Sequence, residues 1–234
     1  MKTLIDFHSH ILPGIDDGAS DLDTSLKLID LLKNQNVSII LATPHYNAAH
    51  MSVDDFLNRR SLSFQKLALP GDISIKLGAE VFLTRGVDSI EGLEKLCIEN
   101  TSYILIEPPM EPWQDWIYES VYKIVLRGLH PIIAHVERYM GVMSFNRILK
   151  LLEMDVISQI NADSLSYFTG RRNIIKLYKE QKFHLLGSDT HNLKTRFPKM
   201  DIAAGKITKY FGADFLNHID KNAALILSNK KPLI

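Results

Sequence analysis

The 234-residue sequence contains one cysteine, Cys97, and no excess of either charge. A single cysteine excludes an intramolecular disulfide framework and any zinc site that needs several thiolates, and it fits a reducing compartment. Lys and Arg number 27, as do Asp and Glu, so the formal net charge is zero. The charge balance therefore indicates neither a nucleic acid nor a membrane surface as a partner.

Long hydrophobic runs are also missing. Residues 39–42 form one of the longest, far short of the roughly 20 residues that a membrane helix needs. The first ten residues, MKTLIDFHSH, lack the apolar stretch of a signal peptide. With 46% apolar and 23% charged residues, the composition is typical of a globular protein. We therefore expect one domain over residues 1–234, soluble and cytoplasmic.

What the sequence does contain is an alternation of short apolar segments with amphipathic ones. Strands are predicted at residues 4–7, 37–42, 73–79, 103–107, 131–135, 156–160 and 184–188. Helices are predicted at residues 23–36, 113–127, 144–153, 165–181, 200–211 and over the last thirty residues. This alternation predicts an α/β fold with a parallel sheet covered by helices. Seven such units fit either a doubly wound sheet or a barrel related to the (β/α)8 fold.

Six of the seven predicted strands end in side chains that can bind a metal ion. These candidates are His8, His10, His45, Glu80, Glu107, His135, Asp189 and His191. In barrels, the carboxyl ends of the strands carry the catalytic loops, so this distribution favours the barrel. Imidazole together with carboxylate suits manganese, iron, zinc and cobalt. The sequence thus predicts a metal site at this end of the sheet.

Other polar residues receive structural interpretations. The isolated histidines are expected to be hydrogen-bonded or packed rather than ligands: His50, His130 in a turn before a proline, His184 inside a strand, and His218. Asp6 is expected to hydrogen-bond neighbouring backbone. For Asp16 and Asp17, which lie in a glycine-containing loop, turn formation is the alternative to metal binding.

Seven motifs, in this order, resemble those of the polymerase-and-histidinol-phosphatase (PHP) superfamily: DFHSHILP (6–13), DDG (16–18), ATPH (42–45), GAE (78–80), YILIE (103–107), AHVER (134–138) and SDTHN (188–192). More narrowly, they resemble the bacterial manganese-dependent tyrosine-protein phosphatases of capsule and exopolysaccharide operons. The resemblance covers residues 4 to 196. Val136 stands where the family usually has proline. Because proline stiffens a loop, its replacement by valine is expected to loosen the loop that carries Arg138.

The resemblance implies a distorted (β/α)7 TIM-like barrel, the PHP fold, with three divalent metal ions: manganese, with iron or zinc as other candidates. The ligand sets implied by position are His8, His10, Glu80 and Asp189; Glu80, Glu107 and His135; and Asp17, His45 and His191. Arg138 and Arg196 match arginines that the family uses on the phosphate. The resemblance also implies a phosphotyrosine protein as substrate, an exopolysaccharide-associated tyrosine kinase.

Phosphate-ester hydrolysis also fits these residues on chemical grounds. A phosphomonoester carries about −1.5 to −2 charges, which divalent ions and two arginines would attract. A metal ion lowers the pKa of bound water to about 7, so a metal-bound hydroxide is the expected nucleophile. A tyrosine leaving group, with a pKa of about 10, departs more readily than a serine alkoxide.

Competing interpretations are weaker. Tyr103, not arginine, stands six residues after Cys97, which excludes the cysteine-based phosphatase motif. A small-molecule phosphatase such as histidinol-phosphatase, a metal-dependent amidohydrolase or nuclease, and a non-catalytic binding module remain as alternatives. Five aromatic residues are candidates for stacking on the substrate ring, with packing over the barrel mouth as the alternative: Tyr46, Trp113, Trp116, Tyr139 and Phe197.

Overall fold

The structure, a computed structural model, describes residues 3–67, 71 and 73–233. Its strands are β1 Leu4–Ser9, β2 Val37–Ala42, β3 His45–Tyr46, β4 Ser74–Leu77, β5 Glu80–Phe82, β6 Tyr103–Glu107, β7 His130–Ile133, β8 Ile157–Asn161 and β9 Leu185–Gly187. The α-helices are α1 Leu22–Asn34, α2 Val53–Phe64, α3 Asp115–Leu126, α4 Phe145–Leu152, α5 Phe168–Lys179, α6 Met200–Phe211 and α7 Ala213–Leu227. Short 3-10 helices span Val87–Ser89, Leu93–Leu96, Val136–Gly141 and Asp163–Ser166.

All six predicted helices are confirmed, and α2 is an addition. α1 begins after Asp21, which caps the helix because its Oδ1 accepts the Thr24 N–H at 2.8 Å. α5 begins three residues later than predicted because Asp163–Ser166 forms a separate 3-10 helix. α2 buries only a thin stripe on one side, so its apolar periodicity is weak.

One predicted strand is interrupted, and another, β2, is confirmed and followed after a short break by an additional strand, β3. The predicted third strand is split into β4 and β5, and Glu80 begins β5 instead of closing a strand, so that detail of the prediction was wrong. β2 and β3 flank Pro44, which has no N–H to donate to a strand ladder. The Glu80 N–H still donates to Pro44 O at 3.0 Å, and His45 is paired in register with Glu80. The breaks before β3 and β5 therefore place two predicted ligands, His45 and Glu80, side by side on neighbouring strands.

The strands form a curled parallel sheet. Pairing follows the orders β1–β2–β4 and β3–β5–β6–β7–β8–β9, and every pair is parallel. β9 lies beside β1, where the Asp189 N–H donates to His8 O at 2.8 Å and the His10 N–H donates to Thr190 O at 3.0 Å. A doubly wound sheet would keep its edge strands apart, so the curl contradicts that alternative and gathers the carboxyl ends of the strands.

The core lies on both faces of the sheet, as the continuous apolar runs predict. One cluster fills the inside of the curl and includes Ile5, Phe7, Leu105 and Ile132, with Ala223 and Ile226 from α7. A larger cluster lies between the sheet and the surrounding helices. His130, predicted to lie in a turn, is instead the first residue of β7. None of the helices in the described ranges is both long enough and apolar enough to cross a membrane.

His184 gives the folded state a pH dependence. It precedes β9 rather than lying within a strand as predicted, and it is buried. Its Nδ1 accepts the Ser158 N–H at 3.1 Å, and burial lowers its pKa to about 4. Between pH 6.5 and about 4, the unfolded chain takes up a proton here that the folded chain does not. The free energy of unfolding therefore falls as the pH falls, by up to about 3 kcal/mol.

We expect His184→Asn, which keeps an acceptor but does not titrate, to flatten the pH dependence of stability between pH 6.5 and 4. Urea denaturation across this range measures the effect. The exposed His50, changed to asparagine, is the matched control and should keep the wild-type slope. Equal slopes for wild type and His184→Asn would show that another group causes the acid destabilisation.

Candidate metal centre

The structure brings the nine sequence-predicted ligands together at the carboxyl ends of the strands. Three overlapping groups have ligand atoms within 4.8 Å of one another: His8, His10 and Glu80; His45, Glu80 and Glu107; and His10, Asp17, His45 and His191. The other two residues adjoin these groups. His135 Nε2 lies 3.1 Å from Glu80 Oε1, and Asp189 Oδ1 lies 3.6 Å from His10 Nε2.

Glu80 lies at the centre of this cluster and is buried. Its Oε2 is 3.2 Å from Nε2 of both His8 and His10, and 3.0 Å from Nδ1 of His45. Among the described residues, this oxygen makes no contact with hydrogen-bond geometry. Buried polar atoms are normally satisfied, so a carboxylate oxygen surrounded by ring nitrogens in this way fits a bound cation.

The tautomers of His8 and His10 also indicate a bound cation. His8 Nδ1 donates to Gln159 Oε1 at 3.0 Å, and this oxygen also accepts the His135 N–H. His10 Nδ1 donates to the Asp16 carboxylate at 2.7 Å. In the neutral rings, each Nε2 then carries a lone pair, yet the two Nε2 atoms lie only 3.0 Å apart. A proton or a metal ion between them would satisfy both.

The electrostatics of the cluster favour positive charge. Burial alone would lower the pKa of His10, but the Asp16 and Glu80 carboxylates raise it to about 10. In the same way, Glu107 and Glu80 overcome burial and raise the pKa of His135 to about 9. Burial opposes ionisation of Glu80, but the surrounding histidines hold its pKa well below the usual range. The residues present therefore fit divalent cations.

Asp16 supports the cluster, a role that the sequence analysis missed. Its Oδ2 accepts from His10 Nδ1 and from the His45 N–H at 2.9 Å, and its Oδ1 accepts the Gly18 N–H at 3.0 Å. Burial raises the pKa of this carboxyl, but these donors outweigh it and bring the pKa to about 2. Asp16 thus fixes the ring orientation of one predicted ligand and the backbone of another, as carboxylates next to metal-bound histidines commonly do.

Gln159 and Asn161 form a second supporting pair that the sequence analysis missed. Asn161 Nδ2 donates to Asp189 Oδ2 at 2.7 Å, and Gln159 Nε2 donates to Asn161 Oδ1 at 3.0 Å. Both residues are buried on β8. A signal was available, because two amide side chains two residues apart share one face of a strand.

Two of the predicted ligands have left-handed backbone conformations. His135 has φ 32° and Asp189 has φ 52°, values that non-glycine residues adopt at a cost of about 1–2 kcal/mol. Each stands just after its strand, where the chain turns. Backbone strain of this kind is concentrated at functional sites, and here it accompanies side chains that enter the cluster.

The two predicted arginines lie at one edge of the cluster. Arg196 Nη2 is 2.6 Å from Asp189 Oδ1, and Arg138 Nη1 is 3.5 Å from Asp189 Oδ2. Their side chains are 38% and 42% exposed. They line a cavity of about 190 Å³ together with Phe197 and Ser188. A phosphate group entering this cavity would meet both guanidinium groups.

The aromatic candidates separate into packed and exposed residues. Tyr46, Trp113 and Tyr139 are buried, and Trp113 packs against Tyr139 with ring centroids 4.9 Å apart. The Trp116 ring is covered by the Arg85 guanidinium at 4.9 Å. Phe197 is 39% exposed and lines the cavity of the two arginines, which makes it the best-placed of the five for a substrate ring.

Asp6 and Cys97 have structural roles and are not part of the cluster of predicted ligands. Asp6 accepts the Ser188 N–H at 2.7 Å and the Ser188 hydroxyl at 2.6 Å, and burial raises its pKa to about 6. Cys97 is buried, which raises the pKa of its thiol to about 12. A thiol that is protonated at neutral pH is no nucleophile, so Cys97 is a packing residue.

Comparison with known proteins identifies the family. The family "Capsular polysaccharide synthesis, CpsB/CapC" matches residues 4–228. Tyrosine-protein phosphatase YwqE of Bacillus subtilis is 32% identical, over 97% of this chain and 92% of that protein. Tyrosine-protein phosphatase CpsB of Streptococcus pneumoniae is 30% identical, over 90% of this chain and 92% of that protein.

A solved structure agrees with these relatives. This structure is described as one of YwqE from Bacillus subtilis and CpsB from Streptococcus pneumoniae, "unique metal-dependent tyrosine phosphatases". It superimposes on this chain with a TM-score of 0.83 at 27% sequence identity, and the match covers 99% of this chain and all of that one. The family that the motifs predict is confirmed: the chain belongs to the CpsB/CapC family of capsular polysaccharide synthesis.

Proposed function

We propose that this protein is a metal-dependent phosphatase that hydrolyses phosphotyrosine on proteins. The observation that carries the proposal is the cluster around Glu80, next to two arginines, in which Glu80 Oε2 and His191 Nε2 are buried without a hydrogen-bond partner in the described part of the chain. The relatives named as tyrosine-protein phosphatases support it. Tyrosine has a leaving-group pKa of about 10, so this chemistry demands less proton donation than a serine ester.

The three overlapping groups support a trinuclear centre, for which we propose manganese, with iron or zinc as alternatives. The proposed ligands are His8, His10, Glu80 and Asp189; Glu80, Glu107 and His135; and Asp17, His45 and His191. The geometry places His10 near the third set as well and His45 near the second. When bound, the ions supply a water-derived nucleophile near neutral pH and positive charge for the phosphate oxygens.

The chain's own side chains would position the ester. Arg138 and Arg196 would bind phosphate oxygens through their paired N–H groups, in exchange for their present contacts with Asp189. Asp17, 66% exposed, and His45, 34% exposed, lie on the open side of the cluster, where an ester would enter. Asp16 and Gln159 would hold the ligand rings in place.

Further parts of the proposal concern the whole chain. We propose that the curled sheet is a distorted (β/α)7 barrel and that residues 1–234 form one phosphatase domain; the hydrogen bonds between β9 and β1 and the packing of α7 on both strands support this. We further propose a cytoplasmic location and a bacterial tyrosine kinase as the substrate. The kinase assignment is supported by the motif resemblance alone.

The first test compares initial hydrolysis rates on a phosphotyrosine peptide, a phosphoserine peptide and histidinol phosphate, each with manganese and after chelation with EDTA. We expect manganese-dependent turnover of the phosphotyrosine peptide well above the other two, and its loss on chelation. A preference for histidinol phosphate would overturn the protein substrate but keep the metal site. Absence of metal-dependent hydrolysis in protein shown to contain metal would refute the phosphatase function.

A further inference from the structure

The part of the chain that carries Arg196 has an excess of basic residues, although the protein as a whole is neutral. Residues 160–212 contain ten Lys and Arg but only four Asp and Glu, although the two classes are equal over the whole chain. This segment runs from the end of β8 through α5 and β9 to α6, and it includes Arg196. The net charge of zero therefore hides a basic segment of the chain, and Arg196 of this segment lines the cavity next to Asp189, where positive charge attracts anionic ligands.

Exposed aromatic rings lie within this positive region, each against a cation. The Lys199 ammonium lies 5.6 Å from the centre of the Tyr167 ring and 4.9 Å from that of Phe197. The Arg171 guanidinium lies 5.9 Å from the Phe168 ring and 5.4 Å from the Tyr210 ring. We call these six residues the α5 rim: Tyr167, Phe168, Arg171, Phe197, Lys199 and Tyr210.

The rings of the α5 rim are exposed to an extent that packing does not explain. Phe168 is 72% exposed, Tyr167 55% and Tyr210 42%. Exposed apolar residues that gather in one place mark interaction surfaces, and aromatic residues together with arginine are the types that contribute most to binding energy. Among the described residues, Arg171 has no carboxylate partner, so its charge is available to a ligand.

A groove connects the α5 rim with the phosphate-binding arginines. It has a volume of about 550 Å³ and is lined by residues that include Met110, Arg138, Ser164, Tyr167 and Gly170. Arg138 and Ser164 also line the cavity next to Asp189, so the groove and the cavity adjoin. Glu137, which lines the groove, is 1% exposed and accepts from Ser164 Oγ and the Asn161 N–H. A chain held at the cavity can therefore continue along the groove to the α5 rim.

Because the groove adjoins both the cavity and the α5 rim, and because of the positive charge there, we infer that the groove and the α5 rim dock an acidic peptide segment that flanks the phosphotyrosine of the substrate protein. The inference rests on the proposed phosphatase function and adds to it the substrate class that the site prefers. Asp and Glu of the peptide pair with Arg171 and with Lys199, the latter in exchange for its present contact with Asp163, and the apolar side chains of the peptide pack on the exposed rings. The phosphotyrosine would then lie at the other end of the groove, beside Arg138.

The test measures kcat/KM for para-nitrophenyl phosphate, for a phosphotyrosine peptide with Asp and Glu on both sides, and for the same peptide with Asn and Gln instead. Two or three exposed ion pairs are expected to favour the acidic peptide by about tenfold. In about 1 M salt, where the screening length is about 3 Å, the preference should largely vanish. Arg171→Glu should remove it, and Arg171→Gln should reduce it.

Lys179→Glu is the matched control, because it makes the same charge change on the same helix. Lys179 is exposed at the end of α5, eight residues and about 12 Å from Arg171 along the helix. It should keep the preference of the wild type. Equal kcat/KM for both peptides, with para-nitrophenyl phosphate still hydrolysed, would overturn the docking surface and leave the phosphatase function intact. Hydrolysis of none of the three substrates would instead refute the phosphatase function.

A membrane surface is the competing occupant of a basic and aromatic rim. Sedimentation with vesicles of phosphatidylcholine and phosphatidylserine separates the two. Binding to these vesicles that Arg171→Glu abolishes, together with equal kcat/KM for the two peptides, would assign the α5 rim to lipid and overturn the peptide assignment. Vesicles that leave the protein in solution, together with the acidic preference, would support it.

Discussion

Replacing Glu80 by glutamine is expected to abolish metal-dependent hydrolysis of phosphotyrosine, with a fall in kcat of more than about 10³-fold. The Glu80 carboxylate lies 3.0 to 3.2 Å from ring nitrogens of four histidines: His8, His10, His45 and His135. Glutamine has the same shape but no charge, and one of its two polar atoms donates instead of accepting. It can therefore serve as a ligand through one oxygen at most, and it removes the negative charge that attracts the cations.

Two measurements on Glu80→Gln separate metal loss from other causes. Elemental analysis of the purified variant should show less bound metal, and initial rates on a phosphotyrosine peptide should not recover when manganese is added. Glu119→Gln is the control, since Glu119 is exposed on α3; it should match the wild type in both measurements. A Glu80→Gln protein with full metal content and full activity would show that the centre of the cluster lies elsewhere.

The sequence was sufficient to predict which residues meet in the cluster. Parallel strands in a curled sheet place their carboxyl ends at one rim, so residues such as His45, Glu107 and Asp189 come together although they are far apart in the chain. Their chemistry is visible as well, because charged residues at the ends of apolar strands are disfavoured without a partner. Strand order and ligand type together therefore predicted the location of the site.

The supporting role of Asp16 could not be predicted in the same way. Asp16 lies in a loop whose path is set by tertiary contacts, and a DDG sequence is compatible with a simple turn. Only the structure shows that its carboxylate reaches His10 and the His45 backbone. The breaks between β2 and β3 and between β4 and β5 likewise depend on the pairing of neighbouring strands. Local propensity does not specify contacts of this kind.

The charge distribution was hidden for a different reason. Composition averages over the chain, so equal numbers of acidic and basic residues suggest a neutral surface. In the folded protein, Arg171 lies against the Phe168 and Tyr210 rings, and Lys199 lies against the rings of Tyr167 and of Phe197, the residue next to Arg196 in the chain. Net charge describes solubility and long-range attraction of the whole molecule, and it says little about one side of an active site.

The second large effect is expected where β9 passes β1. A Cβ atom at Gly187 would lie 2.6 Å from His8 Cβ, 2.9 Å from the His8 backbone nitrogen and 2.8 Å from Gln159 Nε2. Real Cβ atoms do not approach backbone so closely, and β1 cannot retreat without losing the hydrogen bond from the Asp189 N–H to His8 O. Gly187→Ala must therefore separate the two strands or displace Gln159.

We expect Gly187→Ala to lower the free energy of unfolding by about 2–3 kcal/mol, because overpacking a rigid site costs this much. Activity should fall further than stability suggests. A displacement of about 1 Å at a catalytic group costs about 10²-fold in rate, and both His8 and Asp189 are attached to the strands that would move. Urea denaturation and initial rates on a phosphotyrosine peptide, at a temperature where the variant stays folded, measure the two effects.

A glycine-to-alanine substitution on α6 should instead raise the free energy of unfolding. Gly205 lies on α6, and apart from the backbone of its own helix no atom of the described residues lies within 4 Å of the position where a Cβ would stand. Because glycine weakens a helix interior, Gly205→Ala should raise the free energy of unfolding by about 0.5–1 kcal/mol and leave the phosphatase rate unchanged. If Gly187→Ala were instead as stable and as active as Gly205→Ala, β1 and β9 would have room between them. The tight contact that holds His8 and Asp189 side by side would then not be what positions the metal ligands.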